Sequence, residues 1–478
     1  MQHTEFKEVF KKFQSNKLFI DEVYGDTHYS DVLVLSDCAE IALTKRSLVF
    51  CLSQNDVGGL CGYLALITAG AVPLMLSSSI QPEKLKTLLD AYQPSYLWLP
   101  TARVNEVNSA QLKYQYREYS LMRLPNENYN IHNSVALLLS TSGSTGSPKF
   151  VKLSYRNIIS NSKSIAEYLE LSEKDLPITT LPPTYSYGLS IIHSHILVGA
   201  TIAITNKTFF EHEFWSFLKK VSATSFGGVP YHYEMLKKLK FTRMELTSLR
   251  TLTQAGGRMD VALIKEFATH CSSKGIRFFT MYGQTEATSR MSYLSSTKTI
   301  AKAGSIGTAV PGGKFWLEND CGNIIEAPDI AGELVYKGPN VSMGYSSGYG
   351  DLIKDDDNHG LLHTGDIAKR DADGDYYIVG RLKRFIKIFG NRINLQEVEE
   401  FLNSYGYVAA CSGQDDQLEI YLLDLDVVHA MQIKKLVSNY LQIAPLGLAI
   451  YLIKSIPYGE SGKVQYADLR PEIGDRLA

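Results

Sequence analysis

The sequence predicts a multidomain α/β protein, with a large amino-terminal part built from helix-flanked sheets and a small α+β carboxyl-terminal part. Three observations lead to this prediction. The chain has 478 residues, more than a single hydrophobic core ordinarily serves. Short apolar runs alternate with longer helical patterns through its first three quarters. After residue 381 the pattern changes to a compact series of alternating strands and helices.

The alternation is clearest between residues 135 and 205. VALLLS (135–140), PITTLP (177–182) and ATIAIT (200–205) have the length and composition of buried strands. RNIISNSKSIAEYL (156–169) and IIHSHILVG (191–199) are typical of helices. Short buried strands joined by helices predict a largely parallel sheet that is covered on both faces.

One uncharged stretch, Val57 to Leu76, is nearly long enough to cross a bilayer. It contains four Gly and a Pro, and the helical pattern stops near Gly70. A buried helix followed by the buried strand VPLML therefore explains the stretch better than a membrane span.

Two later regions differ from this core. Between residues 304 and 380, GELVYKGP and GDYYIVGR resemble hairpin strands punctuated by Gly and Asp, which predicts a β-rich subdomain. The segments RFIKIFG, LQEVEEFLNSYG, QLEIYLLDL, HAMQIKKLVSNYL and LAIYLIKSI then predict strand, helix, strand, helix and strand. We therefore expect a domain boundary near residues 380–383, with residues 1–381 before it and 382–478 after it.

Composition excludes several functional classes. Hydrophobic residues make up 45% of the chain and charged residues 21%, which is typical of a globular protein. A net charge of −2 is too balanced for a protein that mainly binds nucleic acid. The six cysteines are widely spaced, with no C-x-x-C pair, and no apolar leader opens the chain. We expect a cytoplasmic protein with no membrane span.

The strongest local motif is STSGSTGSPK, from Ser140 to Lys149, directly after the apolar run VALLL. A strand that leads into small residues allows backbone N–H groups to approach a polyphosphate closely. The hydroxyls add donors and Lys149 adds a positive charge. The glycine spacing is not that of a Walker loop, but the composition predicts a phosphate-binding loop.

This loop closely resembles that of the AMP-forming adenylating superfamily, which contains acyl- and aryl-CoA synthetases, nonribosomal adenylation domains and luciferases. Four further stretches are similar to the same family in order and spacing: MYGQTEAT (281–288), GELVYKGPNVSMGY (332–345), HTGDIAKRDADGDYYIVGRLKR (363–384) and PYGESGKVQ (457–465). The resemblance implies an ATP-dependent ligase that converts a carboxylic acid into its acyl-adenylate with release of pyrophosphate. A pantetheine thiol, of coenzyme A or of a carrier protein acting in trans, would then accept the acyl group.

The resemblance also implies a role for each matched residue, with ATP and Mg²⁺ as the cofactors. Tyr282 would contact the adenine, Thr285 the α-phosphate and Glu286 the Mg²⁺, and Asp366 would bind the ribose hydroxyls beside Arg381. The remaining ATP-binding residues it implies are Thr141, Ser142, Gly143, Ser144, Thr145, Gly146, Lys149, Gly256, Gly257, Gly283 and Gln284.

Three residues near the carboxyl end complete the implied machinery. Lys463 would be catalytic, because a cation bridging the attacking carboxylate and the α-phosphate stabilises the charge of the transition state. Lys383 matches the hinge about which this family swings its small domain between two half-reactions. Gly390 matches the segment that lines the pantetheine tunnel.

The chain departs from the family pattern in two places. Phe150 follows the loop lysine, where Gly is usual. Tyr187 and Gly188, which we place in the substrate pocket with Pro230 and Tyr231, occupy the position of the Asp that binds the ammonium in amino-acid-activating members. Without that carboxylate, a fatty, aryl or other non-amino acid is favoured.

Other functions remain open from the sequence. An amide-forming ligase would share every ATP motif, and a light-emitting oxygenase could share the fold. A non-catalytic nucleotide-binding protein is a third alternative, although Lys463, Glu286 and Asp366 are all present. His193 and His195 lie two residues apart on a predicted helix, so their side chains diverge and a metal pair is disfavoured.

Overall fold

The structure is a computed structural model that describes residues 4–43, 45–107, 110–140, 149–388, 391–423, 427–458 and 464–477. Its residues group into two compact units. Unit 1 contains Met1–Phe315 and Tyr336–Leu362, and unit 2 contains Trp316–Val335 and His363–Ala478. The domain boundary near residue 381 and the mobility of the segment that follows it stay predictions.

Helices of both units are mostly short. They are α1 Thr4–Lys12, α2 Tyr29–Ala42, α3 Val57–Thr68, α4 Pro82–Tyr92, α5 Tyr155–Tyr168, α6 Ser186–Leu197, α7 His212–Val221, α8 Pro230–Lys238, α9 Val261–Ser273, α10 Leu395–Ser404 and α11 Val427–Leu441. No helix in the described ranges combines the length and the apolar composition that a membrane span requires.

Strands of unit 1 are β1 Lys17–Asp21, β2 Gly25–His28, β3 Leu48–Ser53, β4 Val72–Ser77, β5 Tyr96–Pro100, β6 Gln111–Tyr116, β7 Tyr119–Arg123, β8 Val135–Ser140, β9 Phe150–Ser154, β10 Ile202–Ile204, β11 Ser225–Gly228, β12 Thr251–Gln254, β13 Arg277–Tyr282, β14 Ser292–Leu294 and β15 Thr308–Ala309. The later strands are β16 Lys314–Glu318, β17 Gly332–Lys337, β18 Tyr345–Ser346, β19 Leu361–Arg370, β20 Tyr376–Arg381, β21 Phe385–Ile388, β22 Asn391–Asn394, β23 Ala409–Gln414, β24 Gln417–Leu422, β25 Leu448–Leu452 and β26 Asp475–Arg476.

The largest sheet has the strand order β18-β9-β8-β4-β3-β5-β7-β6. Its centre is parallel, because β3 pairs in parallel with β4 and β5, and β4 pairs in parallel with β8. Successive residues of β3 belong to different cores: Val49 and Cys51 to one, Phe50 and Leu52 to the other. Both faces of the sheet are therefore covered, as the sequence predicts.

The sheet is mixed, however, and the expectation of a largely parallel sheet holds only for its centre. β9 returns antiparallel to β8, and β7 returns antiparallel to β5. A parallel crossover needs a dozen or more residues, and only residues 141–149 separate β8 from β9. The short phosphate-loop motif therefore requires the antiparallel return.

Helix α3 accounts for the uncharged stretch. The Asp56 side chain caps it by accepting a hydrogen bond from the Gly59 N–H, and every residue of the helix is buried. A Cβ at Gly62 would lie 2.0 Å from the Trp98 ring, so the glycine allows the indole to pack directly on the helix backbone. The helix–strand interpretation of the stretch is confirmed.

A second sheet of unit 1 has the order β11-β12-β13-β14-β15. Its first three strands are parallel and in register, with Gly228 beside Gln254 and Gln254 beside Thr280. The three strands therefore end at the same edge of the sheet, where ligands of α/β proteins characteristically bind.

The segment PITTLP does not form the predicted strand. Its only ladder contacts are isolated bridges from Pro177 to Ser225 and from Ile178 to Ala203. Proline has no N–H to donate, and the segment contains Pro177 and Pro182, so a continuous ladder is not available to it. The other four segments between residues 135 and 205 form the predicted elements, although α6 begins at Ser186, five residues early.

Unit 2 contains most of a four-stranded sheet of order β16-β17-β19-β20 and a second one of order β23-β24-β25-β26. GELVYKGP begins with β17 and GDYYIVGR contains β20, so the β-rich region is confirmed as strand-forming. α10 and α11 pack on the second sheet through Val398, Leu402, Ile433 and Val437. All five segments expected after residue 381 form the predicted elements. The strands β22, β23 and β26 were not predicted from the sequence.

Candidate functional site

Several described candidate residues of unit 1 follow the carboxyl ends of β11, β12 and β13. β12 ends at Gln254 and is followed by Gly256 and Gly257; β13 ends at Tyr282 and is followed by Thr285. Because these parallel strands are neighbours in register, the structure brings both motifs to one edge. The family resemblance implies that both motifs contact one nucleotide.

Gly256 and Gly257 allow other groups of the protein to pack closely against the backbone at this edge. Gly256 has φ +87°, a left-handed conformation, and a Cβ there would lie 2.4 Å from the Tyr185 hydroxyl oxygen. A Cβ at Gly257 would lie 3.2 Å from Pro230. The Gln254 side chain donates to the Gly257 carbonyl at 3.0 Å, which fixes the turn.

The segment after β13 is held just as closely. A Cβ at Gly283 would lie 1.7 Å from the Ser289 carbonyl oxygen, so no side chain fits there. Gln284 donates to the Tyr282 hydroxyl at 3.2 Å. Thr285 is buried, and its hydroxyl lies 3.2 Å from that of Ser186, the first residue of α6. The pair places two hydroxyl groups side by side, an arrangement suited to binding an oxyanion.

Glu286 is joined to Lys149 through Tyr345. The Tyr345 hydroxyl donates to Glu286 Oε1 at 2.7 Å, and the Lys149 ammonium lies 3.6 Å from the centre of the Tyr345 ring. Burial, and then the Glu286 charge, raises the pKa of the Tyr345 hydroxyl, which therefore remains a donor at neutral pH. We call Lys149, Glu286 and Tyr345 the Tyr345 bridge.

Phe150 does not disturb this arrangement. It begins β9, is buried, and packs edge-to-face on Tyr92 with the ring centres 5.6 Å apart. Phe150 thus packs in the core, while the ammonium of Lys149, the residue before the strand, lies over the Tyr345 ring. The departure from the family pattern therefore leaves the lysine in place.

The substrate-pocket residues Tyr187 and Gly188 lie on the first turn of α6. Tyr187 is buried, and its hydroxyl lies 2.9 Å from the Thr253 carbonyl oxygen and 2.8 Å from the Thr253 hydroxyl. A Cβ at Gly188 would lie 2.5 Å from the Pro182 carbonyl oxygen, so this backbone has no room for an aspartate there.

Pro230 and Tyr231 open α8, directly after β11. Pro230 is the first residue of the helix, where its missing N–H costs nothing. Tyr231 is 46% exposed. Of the four pocket residues, the structure thus places Pro230 beside Gly257 and Tyr187 beside Thr253, whereas Tyr231 is about half exposed.

In unit 2, Asp366 and Arg381 form an ion pair. They are register partners in the antiparallel pair of β19 and β20, and Arg381 Nε donates to Asp366 Oδ1 at 2.6 Å. The Asp366 side chain is 2% exposed and that of Arg381 53%. The structure confirms that these two residues lie together, and their roles stay a prediction.

Side-chain hydrogen bonds hold the part of β19 that precedes Asp366. The Thr364 hydroxyl donates to the Leu334 carbonyl at 2.6 Å and accepts from the Asp366 N–H at 3.1 Å. The Gly365 N–H donates to Glu333 at 3.1 Å. These contacts fix the carboxylate of Asp366 relative to its own sheet.

Several candidates lie outside the described residues: Thr141, Ser142, Gly143, Ser144, Thr145, Gly146, Gly390 and Lys463. The Lys383 backbone belongs to a short 3₁₀ helix, Leu382–Arg384, and its side chain is not described. The roles assigned to all of them remain predictions.

The histidines of α6 are buried. His193 Nε2 lies 2.8 Å from the Tyr63 hydroxyl, whereas His195 Nδ1 contacts the Ile191 carbonyl at 2.8 Å and its Nε2 has no hydrogen-bond partner among the described residues. In the described part of the chain, no group of three or more His, Cys, Asp or Glu side chains could hold a metal ion.

Two contributors to the site were not identified from the sequence: Ser186 and Tyr345. Tyr345 ends one of the stretches that carried the resemblance, but its contacts join residues far apart in the chain.

Comparison with known proteins identifies the family of this chain. The family model described as "AMP-binding enzyme" matches residues 39–346. The chain therefore belongs to this family, and its predicted class, an ATP-dependent, AMP-forming ligase, is confirmed at the family level.

The individual relatives have fewer than a third of their aligned residues in common with this chain. The chain is 28% identical over 390 residues to a 2-succinylbenzoate–CoA ligase of Bacillus cereus (strain AH820), covering 80% of this chain and 78% of the relative. The O-succinylbenzoate coenzyme A synthetase (MenE) of Bacillus subtilis, solved with AMP, has a similar fold, with a TM-score of 0.78 at 22% identity over 97% of this chain and 98% of that one. Its structure with ATP and a magnesium ion gives a TM-score of 0.77 at 21% identity, over 96% and 98%.

Proposed function

We propose that this protein activates a carboxylic acid that is not an amino acid and transfers the acyl group to the thiol of coenzyme A. The observation that carries the proposal is the set of polar groups at the ends of β12 and β13. There a hydroxyl pair and a carboxylate–tyrosine–lysine bridge meet a glycine-lined edge in a chain of the AMP-binding family.

We assign the nucleotide to the residues that the resemblance implies. Tyr282 lies against the adenine, and Gly256 and Gly257 lie beside the nucleotide. Asp366 accepts hydrogen bonds from the ribose hydroxyls and is oriented by Arg381. Thr285 donates to the α-phosphate.

Glu286 fits the requirements of Mg²⁺. This cation is usually bound by one or two carboxylates together with substrate phosphates and waters, and Glu286 supplies one carboxylate oriented by Tyr345. The absence of a larger ligand cluster among the described residues agrees with that mode. When bound, Mg²⁺ would neutralise charge on the phosphates that leave as pyrophosphate.

In the first half-reaction, a carboxylate oxygen of the acid attacks the α-phosphorus of ATP, and the bond to pyrophosphate breaks. Negative charge gathers on the α-phosphate, where Thr285 donates a hydrogen bond and Lys463 supplies a cation. The products are the acyl-adenylate and pyrophosphate.

In the second half-reaction, a thiolate attacks the acyl carbon and AMP leaves with the oxygen that had joined the acid to phosphorus. We assign the hinge to Lys383 and the thiol tunnel to Gly390. The Bacillus cereus relative is a CoA ligase, which favours coenzyme A over a carrier protein as the acceptor.

The first turn of α6 supports a substrate without an ammonium group. The backbone at Gly188 excludes the aspartate that amino-acid-activating members use. Tyr187 is already bonded to Thr253 and brings no charge. An ammonium group would therefore be buried without a counter-ion, which is strongly unfavourable.

The proposal is tested by acid-dependent exchange of labelled pyrophosphate into ATP across a panel of fatty, aryl and amino acids. Coenzyme A and carrier proteins are then compared as acceptors. We expect exchange with at least one uncharged-tail or aryl acid and thioester formation with coenzyme A. Exchange with free alanine, or cleavage of ATP to ADP and phosphate, would show the proposal to be wrong.

A further inference from the structure

Lys152 is a buried lysine in the strand that follows Lys149. It lies two residues after Phe150 in β9, and its side chain is 0% exposed. Residues two apart in a strand point to the same face, so the stem of Lys152 enters the core to which Phe150, Leu138 and Met343 belong. The amino group at its end is therefore removed from water.

The ammonium of Lys152 has mostly neutral partners. It donates to the backbone carbonyls of Lys354 and Asp355, each at 3.3 Å. Its one ion pair with a described residue is a loose one, since the nearest carboxylate oxygen, Oδ2 of Asp357, lies 3.8 Å away. Burial lowers the pKa of Lys152, and the charges of Asp357 and Asp351 offset this only in part.

A buried cation with such partners is a poor way to stabilise a core. Removing the charge from water costs more than two carbonyls and a distant carboxylate return, and an apolar side chain of similar length would serve the fold equally well. The charge is therefore better explained by the segment that it holds than by the stability of the core.

That segment is the loop from Ser342 to Asn358, which carries Tyr345 and which we call the Tyr345 loop. The loop is closed at its base, because the Asn358 side chain donates to the Ser342 carbonyl at 3.0 Å. The Ser342 N–H donates to the Glu286 carbonyl at 2.8 Å. The acidic run Asp355–Asp357 lies in the same loop, so the loop joins the contacts of Lys152 to the backbone of Glu286.

Lys152 contacts the Tyr345 loop on both of its sides. Its N–H donates to the Gly344 carbonyl and its carbonyl accepts from the Met343 N–H, each at 2.9 Å, while its ammonium holds the returning side. A Cβ at Gly344 would lie 2.6 Å from Oδ2 of Asp357. The carboxylate beside the ammonium thus packs on the backbone directly before Tyr345.

We propose that Lys152 is a positioning residue for Mg²⁺ binding, whose ammonium fixes the Tyr345 loop so that the Tyr345 hydroxyl reaches Glu286 and the Tyr345 ring lies against the Lys149 ammonium. This deepens the proposed function and rests on it. Because its side chain is wholly buried, Lys152 contacts neither the nucleotide nor the cation. It acts through Tyr345, so its loss can at most undo the two contacts of that tyrosine.

The test is Lys152→Met, which keeps a stem of similar length and removes the charge. In acid-dependent pyrophosphate exchange, we expect the half-saturating Mg²⁺ concentration to rise about threefold to tenfold, with little change in the rate at saturating Mg²⁺. The melting temperature should stay the same or rise, because an apolar group replaces a buried charge. A purely structural role predicts the opposite, a lower melting temperature and an unchanged Mg²⁺ dependence.

A double variant and a control assign the effect to the proposed route. In a Tyr345→Ala background, Lys152→Met should cause no further change in the Mg²⁺ dependence, because both substitutions remove the same contacts. The control is Lys163→Met on α5, which removes an exposed ammonium that lies 2.7 Å from Glu5 and should leave the Mg²⁺ dependence unchanged. An unchanged Mg²⁺ dependence in Lys152→Met, or a loss that multiplies with that of Tyr345→Ala, would overturn the inference.

If Lys152→Met does not fold, Asp357→Ala decides. The Asp357 side chain is 61% exposed, so its carboxylate can be removed without opening the core. The substitution deletes the group that packs between the ammonium and Gly344, and the half-saturating Mg²⁺ concentration should again rise. No rise in that variant would count against the role of Lys152.

Failure of this inference can be told from failure of the proposed function. If the wild-type protein supports exchange and Lys152→Met has the same Mg²⁺ dependence, the ligase stands and the role of Lys152 is wrong. If no acid supports exchange in the wild-type protein, the proposed function itself fails. Calorimetric titration of ATP at several Mg²⁺ concentrations then still compares the two proteins, and equal Mg²⁺ dependence of ATP binding would overturn the role of Lys152 as well.

Discussion

Tyr345 offers a direct test of the Tyr345 bridge, because its hydroxyl and its ring can be removed separately. Tyr345→Phe deletes the 2.7 Å hydrogen bond to Glu286 and keeps the ring that lies 3.6 Å from the Lys149 ammonium. Tyr345→Ala removes both contacts. If Glu286 holds Mg²⁺, the first substitution should alter the dependence on Mg²⁺ and the second should also affect the lysine.

The expected magnitude follows from the geometry. A hydrogen bond to a charged group contributes about 1.5–3 kcal/mol when buried. Tyr345 is 38% exposed, so solvent screening reduces this to about 1 kcal/mol, or about fivefold in an equilibrium constant. An exposed cation–π contact adds about 0.5–1 kcal/mol, so the same equilibrium constant should fall about tenfold or more in Tyr345→Ala.

The assay is acid-dependent pyrophosphate exchange over a titration of Mg²⁺ at saturating ATP. We expect Tyr345→Phe to raise the half-saturating Mg²⁺ concentration about fivefold without lowering the melting temperature appreciably. Because burial and Glu286 raise the pKa of the hydroxyl, the effect should be the same at pH 6 and pH 8.

Tyr349 provides the matched control, since it is a comparably exposed tyrosine whose ring packs on Tyr129. Tyr349→Phe should leave the Mg²⁺ titration unchanged. An unchanged Mg²⁺ dependence in both Tyr345 variants would refute the reasoning that Glu286 is oriented for the cation.

Three further predictions concern Lys463, the core and the histidines. Lys463→Ala should slow exchange on the order of a hundredfold, yet still convert pre-formed acyl-adenylate into thioester at near the parent rate; equal losses in both steps would contradict its role. Gly62→Ala should lower the free energy of unfolding by about 1–3 kcal/mol in denaturant titrations because its Cβ would clash with a buried indole, whereas Gly350→Ala, with open space around it, should not. Burial lowers the pKa of His193 to about 3 and of His195 to about 4, so only the unfolded chain takes up these protons below about pH 6.5. Stability should therefore fall as the pH drops from about 6.5 toward 4, and a flat profile of unfolding free energy would count against this.

Local patterns in the sequence were sufficient to predict most elements of the fold. Strands such as VALLLS and helices such as α3 can be recognised from their apolar runs, their capping residues and the glycines at which they end. The direction of β9 was harder to predict, because it depends on how few residues connect it to β8. The prediction of a strand at PITTLP was wrong because its two prolines prevent the continuous ladder that its apolar composition favours.

The functional site likewise combines motifs that the sequence predicts with contacts that it does not predict. The motifs around Thr285 and Asp366 were found because each is contiguous in the chain. The contact of Tyr345 with Glu286, 59 residues away, arises only when separate elements pack together. No local pattern in the sequence encodes such contacts, so they could be recognised only in the structure.

The central claim, formation of an acyl-adenylate, is tested most directly by following oxygen. An acid that supports exchange is labelled with ¹⁸O in its carboxyl group, incubated with the protein, ATP, Mg²⁺ and coenzyme A, and the AMP is examined by mass spectrometry. Attack of the carboxylate on the α-phosphorus predicts AMP that carries one ¹⁸O atom, because the bridging oxygen leaves with AMP. Unlabelled AMP, or label in inorganic phosphate accompanied by ADP, would contradict the account.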